Sequence, residues 1–169
     1  MTDRTTITSV TEALAICSNI IESAENEVVY ISPSSLLLLA SQLGLIERVK
    51  LFMQKGGRVR GITDFSHEHI KEMQKGLDNG IDMRHFPQYQ GIFMLVGDGR
   101  ESISSISIDV RSLSIDTPVV ALWSDDPTHA EYLMSIFETA WEQAIPAVQR
   151  IEELLKEGAS GGLKLHGLS

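Results

Sequence analysis

Two short runs constrain this chain most: EVVYISP (Glu27–Pro33) and RVRGITD (Arg58–Asp64). Both are rich in β-branched residues and bounded by turn formers, so each reads as a strand buried in a sheet. A buried strand of this kind needs cover above and below. The chain supplies that cover as helices between the strands. Leu14, Cys17, Ile21 and Ala24 fall at helical spacing behind a cap at Thr11. Ser34 and Ser35 can open a second helix through Leu36, Leu37, Leu38 and Leu39, with a bend at Gly44 and an end at Gly56-Gly57. Ser66 caps a third helix to about Asp78, closed by Asn79-Gly80.

Strand-like runs at 81–87, 91–99, 101–109 and 117–124 follow. Asp98-Gly99 is a hairpin turn signal. Ile103, Ile106 and Ile108 only partly alternate, which predicts a bulge near Ser104-Ser105. Asp125-Asp126-Pro127 opens the last helix, with carboxylates at its positive end. The order predicts an α/β fold: one mixed sheet with helices on both faces. Met134, Phe137, Trp141, Ala144, Val148, Ile151 and Leu155 then form a heptad-like seam. Pro146 must kink that seam or begin a new helix. The expected organisation is an arm over 1–10, a domain over 11–145, a helical extension over 146–158 and a flexible tail over 159–169.

Several functions are disfavoured. A net charge of −9 repels phosphate backbones, so no direct nucleic-acid binding is expected. No apolar run is long enough to span a membrane, which leaves a cytoplasmic domain as the expectation. The lone Cys17 sits on an apolar helix face and reads as core. His67 and His69 point apart at a helix start, so no metal site is expected. Gly97-Asp98-Gly99 joins two strands rather than a strand and a helix, so it is no phosphate loop, and no cofactor is expected.

The stretch 83–107 carries the chemistry-bearing signal. It resembles the motif region of the phospholipase D-like superfamily, where His-x-Lys, four residues and Asp lie on a strand before a Gly-Ser-x-Asn-like turn. The resemblance puts Gly91 at the histidine place, Phe93 at the lysine place, Asp98 at the aspartate place, and Ser104-Ser105-Ile106-Ser107 at the turn. Asp126-Pro127, Phe137 and Trp141 resemble the start of the family's closing helix, and the likeness covers 11–144. It implies a half-domain of a two-fold enzyme that has lost its nucleophile and its cation, since glycine and phenylalanine supply neither.

Degenerate domains of this type resemble effector-binding parts of archaeal TrmB-type regulators and input domains of signalling proteins. The leading expectation is therefore a non-catalytic sensory or regulatory domain, a homodimer with a small-molecule effector and an output domain beyond the C-terminus. The alternatives are a phosphodiesterase or nuclease-like hydrolase with relocated groups, using His85 with Asp64 or Asp98, and a purely structural dimerisation module. Ligands of open α/β sheets favour the carboxyl ends of strands. That places the expected ligand-binding residues at Ser32, Thr63, Asp64 and His85, with Phe93, Ser105 and Trp123 added from the degenerate motif. Arg84 should lie on the opposite face and matter little.

Overall fold

A computed structural model of the chain describes residues 4–89, 91–105, 109 and 111–166. Three parallel strands form its centre: β2 (Glu27–Pro33), β3 (Arg58–Asp64) and β4 (Asp82–His85). They are joined by α2 (Ser34–Gln42), α3 (Leu45–Gln54) and α4 (Ile70–Asp78). The antiparallel part holds β5 (Phe93–Gly97), β6 (Glu101–Ser105) and β7 (Pro118–Ser124). With β1 (Arg4–Ser9) and β8 (Ile145–Pro146) at the edges, the order is β1-β7-β6-β5-β2-β3-β4-β8. The expected mixed α/β sheet is what the chain forms.

Each face of the sheet carries its own core. On one face Val28, Tyr30, Phe93 and Leu95 pack with α1 (Val10–Ser23), α2, α3 and α4. On the other, Val29, Ile31, Met94 and Val96 pack on α5 (Pro127–Gln143) through Phe137, Ala140 and Trp141. Strand alternation produces this division, and it explains why these strands are apolar throughout. Arg60 pins α5 to the sheet. It is buried, donates to Glu27 and Glu138, and lies 4.9 Å from the Phe137 ring centroid.

Several sequence expectations need correction. The segment read as an arm supplies the edge strand β1, paired antiparallel with β7, and Ser9 rather than Thr11 accepts from the Glu12 amide to cap α1. An edge strand can be polar because only one flank is paired, so its threonine-rich sequence gives no burial signal. No bulge interrupts β6: its register with β5 and β7 runs unbroken through Ser104 and Ser105. Ile106 and Ile108 lie outside the described residues.

The heptad-like seam belongs to two helices on opposite faces. After α5, β8 pairs with β4 at the sheet edge, and Pro146 stands just before α6 (Ala147–His166). Ala147, Ile151 and Leu154 are buried in the core on the α1 side, while Val148 and Leu155 are exposed. Residues 146–158 therefore pack on the domain rather than leaving it. The backbone stays helical to His166, through the segment read as a tail. Gly158 does not end the helix: a Cβ there would come within 2.7 Å of the His67 ring, so close approach explains the glycine.

Candidate ligand cleft

Sheet register brings most of the expected site residues into one row. Ser32 pairs with Thr63, and Thr63 pairs with His85. Phe93 pairs with Ser105, and one step beyond the Ile31–Met94 pair it stands beside Ser32. Ser105, Phe93, Ser32, Thr63 and His85 thus share one face at one end of the sheet.

The row is nevertheless divided. Ser32, Thr63 and Asp64 line a cleft of about 390 Å³ at the carboxyl ends of β2 and β3. His85 does not line it: its Nε2 lies 3.8 Å from Asp64 Oδ1, and its Nδ1 accepts from the Phe65 amide at 3.4 Å. Phe93 is buried in the core; with Ser105 it borders an apolar gap of about 10 Å³, and with Ser32 an apolar cavity of about 100 Å³ beneath the helices, neither of them the cleft. Ser105 Oγ is spent on the Val120 carbonyl. Trp123 stands on the same face in the next row, beside Ile103, and its indole N–H donates to Glu101. Phe93, Ser105 and Trp123 do not join the cleft, because packing claims the first two and register sets the third two residues farther from the strand ends.

Other cleft residues gave no sequence signal. Arg150 enters from α6. Ser34 and Ser35 come from the start of α2, and His69 follows β3 in a short 3-10 turn (His67–His69). His69 Nδ1 lies 2.8 Å from Ser34 Oγ, a side-chain pairing of residues far apart in sequence. Burial pushes the His85 imidazole below its ordinary value, and Arg150 adds to this; Asp64 and Glu153 oppose it. The balance favours the neutral imidazole over the charged one.

The residues at the motif positions take three different places. Gly91, with φ of 77°, lines the cleft. Phe93 turns into the core. Asp98 lies at the far end, because β5 runs antiparallel to β2 and ends beside Glu27. There its carboxylate accepts the amides of Glu25, Asn26 and Glu27 at 2.7, 2.8 and 2.9 Å. Burial alone would raise its pKa, but the hydrogen bonds from those amides outweigh it and hold the carboxyl below its ordinary value. Asp98 is a structural tie.

Arg84 has a structural role. It does lie on the opposite face, yet it donates to the Trp141 carbonyl at 2.7 Å and sits 4.1 Å over the indole ring. It anchors α5 and is not idle.

No family model matches the chain, and no curated protein matches it. Solved structures do. NucT from Helicobacter pylori aligns with a TM-score of 0.65 and 14% identity over 86% of this chain and 99% of its own. Nuc from Salmonella typhimurium, a phospholipase D family member, aligns at 0.64 and 12%, over 86% of this chain and 98% of its own. The fold is phospholipase D-like. TrmBL2, an archaeal chromatin protein, shares the phospholipase D-like fold at a TM-score of 0.64 and 14% identity, over 85% of this chain. The chain spans 54% of TrmBL2's length. Among the described residues no helix is long and apolar enough to cross a membrane.

Proposed function

We propose that this chain is a non-catalytic sensory or regulatory module. It binds a small-molecule effector in the cleft, works as a homodimer, and serves a signalling or transcription-control system. Gly91 carries this reading. It lines the cleft at the place where the resemblance puts the attacking imidazole, and Phe93, at the lysine place, is buried core. Phosphoryl transfer there would lack both a nucleophile and a cation for the developing charge. A cleft that keeps polar walls without that machinery suits recognition better than turnover. TrmBL2 binds DNA, whereas a charge of −9 on this chain disfavours direct contact with a phosphate backbone.

One observation favours a hydrolase as the second reading: His85 Nε2 stands 3.8 Å from Asp64 Oδ1. The purified chain should not hydrolyse bis(p-nitrophenyl) phosphate above the buffer blank. Hydrolysis abolished by His85→Ala would overturn the non-catalytic reading.

A further inference from the structure

We propose that the cleft receives an oxyanion, a carboxylate or phosphate group on a small molecule, held by Arg150 Nε, Thr63 Oγ1, Ser35 Oγ and the opening amides of α2. This rests on the cleft being a binding site and names the chemistry it takes. The observation behind it is a set of orphans. Ser35 Oγ, Thr63 Oγ1 and Arg150 Nε are each buried without a hydrogen-bond partner, and all three residues line this cleft. Thr63 is 1% exposed. Buried polar atoms are nearly always paired, and leaving one unpaired costs about 1–3 kcal/mol. Such a cluster in one concavity marks a place where a partner belongs.

Donor chemistry says what that partner is. A guanidinium N–H can only donate, and a hydroxyl can donate or accept. Arg150 keeps its Nη1 3.7 Å from Glu153, which leaves Nε unserved. α2 begins behind Pro33 with no side-chain cap, so the amides of its first turn also lack a side-chain acceptor. The missing group is an acceptor. The carboxylates nearby do not fill that place: Asp64 faces His85, and Glu68 is exposed at the rim. An oxyanion would accept from the guanidinium, both hydroxyls and the helix start together.

The test is calorimetry and thermal denaturation of the full chain with sodium phosphate and with sodium succinate, against sodium chloride at equal ionic strength. Saturable binding of either anion supports the proposal. Phosphate alone would identify a phosphoryl group, and succinate alone a carboxylate. Arg150→Gln should weaken that binding about tenfold or more, the scale of a charge-assisted hydrogen bond, while Arg111→Gln on the exposed surface should match the wild type. If Arg150→Gln does not fold by circular dichroism, the near-isosteric Thr63→Val serves, and it too should bind more weakly. No binding beyond the chloride control, or unweakened binding by the folded variants, overturns the proposal. A neutral molecule that saturates the cleft when no anion does would remove the oxyanion and leave the regulatory reading standing. Hydrolysis dependent on His85 would do the reverse.

Discussion

Asp98 and Thr63 stand at opposite ends of the same sheet, and their side chains are 6% and residue-wide 1% exposed respectively. Asp98 meets three backbone amides and Arg100. Thr63 Oγ1 meets nothing among the described residues. Asp98 is taken up by the fold's own hydrogen bonds, whereas the unpaired atoms of Ser35, Thr63 and Arg150 all belong to residues lining one cleft; Ser102 Oγ and His129 Nε2 are also unpaired, but outside it. The comparison also shows why an aspartate at a motif-like position is weak evidence of activity. Asp98 ties a hairpin to the start of β2.

Phe93→Ala should have the largest effect, a loss of about 3–4 kcal/mol in denaturant unfolding, as expected for truncating a buried aromatic. It should leave the cleft's binding in place, which would separate core from site within one sheet row. Asp98→Ala should cost about 2–3 kcal/mol by the same measurement, because three amides lose a charged acceptor. The sign with pH is fixed by its lowered folded value. The stability from Asp98 is present above the unfolded value of 3.8 and is lost as pH falls through the folded value, so Asp98→Asn should flatten acid unfolding below pH 3.8.

Arg84→Ala should cost about 1 kcal/mol through the Trp141 carbonyl and ring contacts. His85 contributes in a different window. Its folded value is lowered, so stability falls as pH drops below the ordinary 6.5 and the neutral imidazole is forced to charge; His85→Gln should remove that slope. Thr63→Val should change stability least, between zero and a gain of about 1 kcal/mol, because an unpaired buried hydroxyl is being removed. A large loss at Thr63, or none at Asp98, would break the contrast between the two ends.

Much of this contrast could be read in the sequence, for identifiable reasons. EVVYISP and RVRGITD marked the parallel centre because fully buried strands are apolar on both faces. Strand ends then located Ser32, Thr63 and Asp64 beside the cleft. Period alone misled at the seam, since the spacing continued across β8 while the chain passed from one face of the sheet to the other. Arg150, Ser35 and His69 were hidden because each reaches the cleft from a separate element, and only tertiary packing brings them together. Trp123 falls on the expected face but one row away, because the register of β7 against β6, which sequence does not show, puts Ala121 beside Ser105.

The most direct test is an amide and arginine side-chain chemical-shift titration of the full chain with phosphate and succinate. The account predicts saturable shifts at Ser35, Thr63, Phe65 and Arg150 Nε, with the amides of Glu25, Asn26 and Glu27 unmoved. Shifts centred on those three amides, or no saturable shift at the cleft, would contradict it.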